Sequence, residues 1–386
     1  MRTYLIHYSS DIGLKAQNRR DFIRQLRRNI RRQHPAVQSV EHLMGRLVAL
    51  SPQEEDFSDV FGVAWWAEAR RLPLDWDAIV AEAVALARRH ARPGMKFAVR
   101  ARRAEKRFPL NSQEIGREVG AAIVEATGMG VDLTNPDLEV FVEIAPEAAF
   151  VFAERHAGPQ GLPVGTSGHW FGLYSGGIDS VVAAYLMGRR GARVDLVHFH
   201  VFANAEPARS QKVGRLAAML GKYLPGLRVF YVPMRFYREQ ISALPRRYRP
   251  YRVVAFRRFM VRVAAALARE HSGQALFTGD NLGQVASQTI ENMLAVNAAV
   301  DFPIFRPLLA FQKQEIIDLG ERLGFYELAK QPYEDGCTMM AQRPSTKVRI
   351  PQVEELESHL DLTAAIEQTL AAVEIDHPQS LNPSIP

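Results

Sequence analysis

Hydrophobic and polar positions change their period along the chain in a way that predicts three regions. The first region opens with an alternating strand, "RTYLIHY". A helix is predicted over Lys15 to Arg32, where apolar residues recur at helical spacing, and a second strand over Asp59 to Trp66. The pattern indicates a small α+β domain over residues 1–75.

The second region has a comparable mixture of helix and strand periods. We expect a helix over Ala78 to His90, a strand over Lys96 to Ala101 and a helix over Ser112 to Ala126. Paired strands are expected over Leu138 to Ile144 and Glu147 to Glu154. The Gly- and Pro-rich residues 156–168 are typical of a linker or an ordered loop. A second α+β domain is therefore expected over residues 76–168.

From residue 169 onward, apolar strands alternate with helical stretches. Such alternation predicts an α/β domain built on a doubly wound parallel sheet over residues 169–386. The predicted strands are Trp170 to Tyr174, Arg193 to His200, Arg228 to Pro233 and Ala275 to Thr278.

Composition narrows the class of protein. The 386 residues allow two or three cores, and 47% hydrophobic with 23% charged residues is typical of a soluble globular chain. No apolar run approaches a membrane span and the N-terminus lacks a secretory signal pattern, so a cytoplasmic protein is expected. A single cysteine, Cys337, excludes an intrachain disulfide and a Cys-based metal cluster made by this chain alone.

Charge adds a hypothesis about partners. The net charge of +6 is modest, but arginines are concentrated over residues 19–32, 99–107 and 246–262. Any one of these segments could be a solvated helix face. Three of them in one chain favour a polyanion such as RNA, because each guanidinium that neutralises a phosphate releases a counterion.

The loop "SGGIDS", Ser175 to Ser180, carries the candidate chemistry. It joins a predicted strand to a predicted helix, where two glycines let backbone N–H groups approach an anion at the helix N-terminus. It lacks the lysine of a Walker A loop, and a turn that only caps the helix is the alternative. A second polar Gly turn, within Leu276 to Met293, supports a ligand site, because an open α/β sheet binds its ligand where two strand ends meet.

On these motifs the chain resembles the tRNA 4-thiouridine synthetases over nearly its whole length. "GLKAQNRRDFIRQLRRNI" and "FSDVFGVAWW" resemble the N-terminal ferredoxin-like domain of that family. "KFAVRARRAEKRFPLNSQEIGREVGAAI", "VDLTNPD" and "GPQGLPVGTSG" resemble its THUMP domain, a tRNA-binding module. "SGGIDS", "VDLVHFH", "TGDNLGQVASQT", "RPLLAFQKQEI" and "YEDGC" resemble its PP-loop ATP pyrophosphatase domain, which is like an adenine nucleotide alpha hydrolase.

The resemblance implies a reaction and its site residues. ATP adenylates O4 of a tRNA uridine, expected at position 8, and a persulfide or sulfide sulfur then displaces AMP to give 4-thiouridine. The implied catalytic residues are Asp179, Lys313 and Cys337, and Asp179 could also help to hold Mg²⁺. The implied ATP-binding residues are Ser175, Gly176, Gly177, Asp179, Ser180, His198, His200, Gly279 and Gln288, with Asp280, Gln284, Ser287 and Thr289 bordering the nucleotide and the target base. The expected tRNA-binding residues are Arg100, Arg102, Arg103, Lys106 and Arg107.

The resemblance leaves the sulfur source open. The chain matches the short form of the family, without a C-terminal rhodanese domain, so a cysteine desulfurase or another external donor is expected. Cys337 either carries a persulfide, which an external thiol or second persulfide must then resolve, or is a bystander while sulfide attacks directly. Family members often work as homodimers, although the sequence shows no dimer interface.

Two alternatives remain at this stage. The chain could be a tRNA-binding protein that has lost thiolation, or a PP-loop enzyme that adenylates another RNA base. The intact "SGGIDS" and "TGDNLGQVASQT" motifs and the retained Lys313 favour an active enzyme.

Overall fold

The computed structural model describes residues 1–43, 45–333, 340 and 344–378. The chain divides into two compact units, Met1–Pro163 and Val164–Pro386. Cys337 lies outside the described residues, as do the last residues of the chain. In the described part, no helix combines the length and the apolar composition needed to cross a membrane.

The first sheet of unit one is antiparallel and carries one long helix. Its elements are β1 (Arg2–Tyr8), α1 (Ser10–Gly13), α2 (Arg19–Gln33), β2 (Ser39–Leu43), β3 (Arg46–Ser51), β4 (Val63–Glu68) and β10 (His156–Ala157), with strand order β10-β4-β1-β3-β2. Helix α2 buries Ile23, Leu26 and Ile30, which are spaced to lie on one face. The arginines between them are left on the opposite face.

Two details of this sheet differ from the prediction. The strand expected from Asp59 begins only at Val63, because residues 57–61 form a turn whose Phe57 and Phe61 side chains are buried. The β2–β3 hairpin was not predicted. Its register pairs Leu43 with Arg46, and β2 is too short and too exposed to show a clear alternation.

The second sheet of unit one is mixed and packs against two helices. Its elements are β5 (Arg70–Leu72), α3 (Trp76–His90), β6 (Lys96–Arg103), α4 (Ser112–Thr127), β7 (Gly130–Val131), β8 (Leu138–Ile144) and β9 (Ala149–Phe152), with strand order β5-β9-β8-β6-β7. Helix α4 starts at a capping box made by Asn111 and Glu114 and ends at Gly128, whose φ is +68°.

The segment over residues 156–168 is an ordered part of the fold rather than a free linker. His156–Ala157 forms the edge strand β10 on β4, and Leu162 is buried in the core of the first sheet. A Gly- and Pro-rich composition marks irregular backbone, but it cannot show that this backbone is held by a neighbouring strand.

Unit two contains the expected parallel sheet. Its strands are β11 (His169–Leu173), β12 (Arg193–His200), β13 (Val229–Pro233), β14 (Ala275–Phe277), β15 (Ile304–Phe305) and β16 (Glu374–Asp376), in the order β15-β14-β11-β12-β13-β16. All neighbouring pairs are parallel except β13 with β16. The short edge strands β15 and β16 were not predicted.

Helices surround this sheet. They are α5 (Ile178–Arg189), α6 (Glu206–Ser210), α7 (Lys212–Gly221), α8 (Arg235–Ala243), α9 (Arg252–Glu270), α10 (Ile290–Asn297), α11 (Lys313–Arg322), α12 (Tyr326–Ala329), α13 (Ile350–Glu357) and α14 (Leu362–Ala371). Helix α9 is mostly buried and forms much of the core with β11, β12 and β13. Short 3₁₀ turns cover Arg246–Tyr251 and Ala286–Gln288.

Candidate active site

The site lies where the strand order of the parallel sheet reverses. Strand β11 lies between β14 and β12, so the connections that leave β11 and β14 diverge and open a crevice at the carboxyl ends of these strands. A cavity occupies this crevice. Its polar lining includes Ser175, Asp179, Ser180, Thr278, Gly279, Asp280, Ser287, Gln288 and Arg257, and its apolar lining includes Leu173, Phe199, Phe256, Met260 and Val285.

The turn after β11 requires its first glycine. Gly176 has a φ of +75°, and a Cβ there would lie 2.8 Å from Cγ2 of Val213. The turn is closed by its own side chains: the Gly177 N–H donates to Oγ of Ser175 at 3.2 Å, and Oγ of Ser180 donates to the Gly177 carbonyl at 2.9 Å. Helix α5 begins directly afterwards, so its positive N-terminal end borders the cavity.

Gly279 lets the turn after β14 approach the start of α5. A Cβ at this position would lie 2.7 Å from the carbonyl carbon of Asp179 and 2.8 Å from the Ser180 nitrogen. Because both are backbone atoms, any larger residue would force the two walls of the crevice apart. Gly279 is therefore required for the shape of the crevice.

Two predicted catalytic side chains meet in an ion pair. Nζ of Lys313, at the first position of α11, lies 2.6 and 2.9 Å from the two carboxylate oxygens of Asp179. Nε2 of Gln284 donates to the same carboxylate at 3.0 Å. The pair is partly open to solvent, with 44% of the Lys313 side chain and 23% of the Asp179 side chain exposed. Residues far apart in sequence thus form one polar group beside the phosphate loop.

Asp280 is buried and serves as an anchor for two arginines. Its carboxylate accepts from Arg257 and, at 3.2 Å, from Nε of Arg306. Burial by itself raises the pKa of Asp280, but Arg257 and then Arg306 outweigh this effect and hold the pKa below its ordinary value. Nε2 of Gln288 lies 3.4 Å from the same carboxylate. Asp280 therefore holds Arg257 and Gln288 at the cavity wall.

Sequence reasoning missed Arg257 and Arg306 as site residues. Arg257 stands in an arginine-rich segment that was interpreted as a phosphate-binding surface, yet it is buried on α9 and lines the cavity. A signal was present, because arginine recurs on α9 among residues with core-facing helical spacing. An arginine at such a position needs a buried carboxylate partner.

The two predicted histidines do not line the cavity. His198 is buried one layer behind it, with Nδ1 2.8 Å from the Tyr174 carbonyl and Nε2 2.9 Å from the Tyr333 hydroxyl. His200 is also buried. Burial is the main cause that lowers its pKa, and in the described structure its Nδ1 has no hydrogen-bond partner. Thr289, the other predicted border residue, caps α10 and donates its hydroxyl to the Thr346 carbonyl at 2.6 Å.

Carboxylates for a metal ion are sparse. Among the described residues, no group of three or more His, Cys, Asp or Glu side chains is arranged to hold one. Asp179 is the carboxylate nearest the phosphate loop that is also partly exposed. A single carboxylate is compatible with Mg²⁺, which proteins often bind through one or two carboxylates together with the phosphates of a substrate.

The predicted tRNA-binding residues of unit one divide into two groups. Arg102, Lys106 and Arg107 are exposed. Arg100 instead pairs with Glu139 at 2.7 Å, and Arg103 donates to the Phe108 carbonyl at 3.1 Å. The last two side chains stabilise the loop that displays the first three.

An open parallel sheet with a Ser-Gly-Gly turn at its switch point defines a nucleotide-binding α/β domain, here joined to two small α+β domains. Family profiles match in the same order: a ThiI ferredoxin-like domain over residues 3–66, a THUMP domain over residues 74–154, and the thiamine biosynthesis protein ThiI over residues 165–362.

Individual relatives match along almost the entire chain. A probable tRNA sulfurtransferase of Thermus thermophilus is 40% identical over 369 residues, which cover 92% of this chain and 89% of the relative. The corresponding protein of Moorella thermoacetica is 35% identical, with 97% of both chains covered. A crystal structure of a 4-thiouridine synthetase–RNA complex with bound ATP superposes with a TM-score of 0.87 at 30% identity, covering 97% of this chain and 99% of that one.

The chain therefore belongs to the ThiI family of tRNA sulfurtransferases. This finding confirms the resemblance drawn from the motifs and the predicted fold class of two α+β domains followed by a PP-loop domain.

Proposed function

We propose that this protein uses ATP to convert a tRNA uridine, at position 8, into 4-thiouridine, with release of AMP and diphosphate. The observation that carries the proposal is the Asp179–Lys313 pair beside the glycine turn, in the switch-point crevice. The solved 4-thiouridine synthetase that matches this chain binds both RNA and ATP, and its match extends over the whole catalytic unit.

The crevice fits a nucleotide triphosphate. The α5 N-terminus and the Ser175–Ser180 turn would hold phosphates, since they supply backbone N–H groups and a positive helix end. The apolar wall, with Phe199, Phe256 and Met260, would take the adenine. Asp179 would exchange its contact with Lys313 for Mg²⁺ held on the phosphates, and the freed ammonium would face developing negative charge.

The chemistry follows from the poor leaving ability of a carbonyl oxygen. The uridine O4 attacks the α-phosphorus of ATP, the bond to diphosphate breaks, and O4 becomes part of a phosphate ester. A sulfur nucleophile then adds to C4, and AMP departs with the former O4. If the nucleophile is a persulfide, its S–S bond must be cleaved by a further thiol or persulfide, which leaves a disulfide and the thiocarbonyl.

The sulfur donor and the assembly complete the proposal. We infer that a cysteine desulfurase passes sulfur to Cys337, or that sulfide acts directly with Cys337 as a bystander. Unit one would bind the tRNA through Arg102, Lys106 and Arg107, whose side chains are exposed. These partners assign the reaction to the cytoplasm. A homodimer is the assembly that we expect.

The test is formation of 4-thiouridine and AMP on unmodified tRNA, with ATP, Mg²⁺, a cysteine desulfurase and cysteine. Asp179→Asn and Lys313→Met should each lower AMP release by about 10²–10³-fold, because each removes a charge from the reacting phosphate. Lys330→Met is the matched control, since this exposed lysine pairs only with the nearby Glu327 among the contacts described.

Three outcomes would decide between the alternatives. Tight tRNA binding by the wild type without AMP release would favour a binding protein that has lost thiolation. AMP release with modification of a different base would favour another PP-loop activity. Thiolation by Cys337→Ser with sulfide, but not with the desulfurase, would identify Cys337 as the sulfur carrier.

A further inference from the structure

His198 connects two chain segments that carry the proposed chemistry. Its Nδ1 lies 2.8 Å from the carbonyl oxygen of Tyr174, the residue before the phosphate turn. Its Nε2 lies 2.9 Å from the hydroxyl of Tyr333, four residues before Cys337. The ring is 1% exposed, and it is fixed further by edge contacts with Tyr174 and Tyr231.

The chemistry of these contacts fixes the direction of each hydrogen bond. A carbonyl oxygen only accepts, so Nδ1 carries the proton and donates to Tyr174. In the neutral ring Nε2 is then an acceptor, and the Tyr333 hydroxyl donates to it. One imidazole thus ties the backbone of the phosphate turn to the side chain of Tyr333.

The start of α7 makes a second, independent connection between the same segments. Nζ of Lys212 donates to the carbonyls of Ala329 and Gln331 at 2.9 and 2.6 Å. Its neighbour Val213 accepts the Tyr174 hydroxyl at 3.0 Å and packs against Gly176 of the phosphate turn. Residues 329–333 and 174–176 are therefore referenced to each other through both β12 and α7.

We propose that His198 and Lys212 are positioning residues for sulfur transfer, which set where the Cys337 segment starts relative to the phosphate turn. This inference rests on the proposed function. Their contacts hold Tyr174 and Tyr333 rather than the cavity itself. The expected consequence of weakening them is loss of coordination between the two half-reactions, because a small misplacement of a reacting group costs much of its effective concentration.

The decisive variant is Tyr333→Phe, which removes one hydroxyl and keeps the ring. We expect AMP release to be retained, while 4-thiouridine formation with the desulfurase falls, so that AMP released per 4-thiouridine rises about tenfold or more. Free sulfide should restore the wild-type ratio, because sulfide does not need the Cys337 segment. Tyr326→Phe, on the nearby α12, is the matched control and should leave the ratio unchanged.

A second variant guards against a purely structural effect. His198→Asn keeps an N–H that can face the Tyr174 carbonyl but cannot reach Tyr333, so it should also raise the ratio. The double variant should be no worse than the stronger single one, since both remove the same hydrogen bond.

The possible results separate the two proposals. An unchanged ratio in Tyr333→Phe would overturn the positioning role, as would a raised ratio that sulfide does not restore. If the wild type itself releases no AMP on tRNA, the proposed function fails instead. Equal loss of AMP release and thiolation would show that the His198–Tyr333 hydrogen bond maintains the nucleotide site as a whole and would also overturn the inference.

Discussion

Two arginine-rich helices with similar sequences have opposite roles in this molecule. On α2, Arg20, Arg24, Arg28 and Arg31 are exposed on the face opposite the buried Ile23, Leu26 and Ile30. On α9, Arg257 and Arg258 are buried, and Arg262 is partly buried. Both segments were interpreted from sequence as surfaces for a polyanion, and only the first is free of buried ion pairs.

The carboxylates on neighbouring elements explain the difference. Glu357, at the end of α13, accepts two hydrogen bonds from Arg258 at 2.8 and 3.0 Å and two from Arg262 at 2.7 and 2.8 Å. Asp280 does the same for Arg257 beside the cavity. Arginine density alone therefore does not indicate an RNA surface. A partner from a distant part of the chain can place the guanidinium inside the fold.

The largest effect is expected from breaking the buried cluster. Arg258→Met should lower the free energy of unfolding of unit two by about 3–5 kcal/mol, because Glu357 then keeps only one of its two cationic partners. Hydrogen exchange of peptides from α9 and α13, together with urea unfolding, would measure it. Arg28→Met on α2 is the matched control. Equal effects of the two substitutions would remove the distinction between the helices.

The converse experiment removes charge from α2. Arg20, Arg24, Arg28 and Arg31 changed together to Gln should weaken tRNA binding, by about sixfold at 0.1 M salt for each tRNA phosphate that is no longer neutralised. The slope of log affinity against log salt should become shallower by about 0.7–0.9 for each such phosphate. Filter binding over a salt series gives both values. An unchanged slope would show that α2 is only a solvated face.

Acid sensitivity should separate the two helices as well. Burial raises the pKa of Glu357, but Arg262 and Arg258 outweigh it and hold the pKa below its ordinary value of 4.5. The stabilisation is therefore present above pH 4.5 and is lost as the pH falls through the folded-state pKa, an effect of about 1–3 kcal/mol. Glu357→Gln should flatten this acid limb in unfolding measurements. The exposed Glu367→Gln should not change it.

The smallest effect is expected from a change that conserves charge on α2. Arg28→Lys should alter the free energy of unfolding by less than about 0.5 kcal/mol and leave the salt slope unchanged, because an exposed side chain contributes its charge alone. Arg258→Lys, by contrast, should be clearly destabilising, since lysine cannot reproduce a two-point contact with a carboxylate. Thermal unfolding of the two variants side by side tests the contrast.

Much of the fold could be predicted from local pattern. The strand β12 was predicted with its observed bounds, and α3, α4, β11 and β13 differ from the prediction by one or two residues at an end. Short elements were missed, namely the β2–β3 hairpin and the edge strands β15 and β16. They are held by pairing with strands elsewhere in the chain and bury too few residues to show a period.

The sequence by itself determined the class of fold, the glycine turn of the phosphate loop and the residue types available for chemistry, because these depend on backbone freedom and on the spacing of apolar positions. Only the tertiary structure decided which of them meet. It paired Lys313 with Asp179, enclosed Arg257 beside Asp280, and moved His198 from the cavity to the link between Tyr174 and Tyr333. Contacts between residues far apart in the chain depend on packing of whole elements, and local periodicity carries no information about that packing.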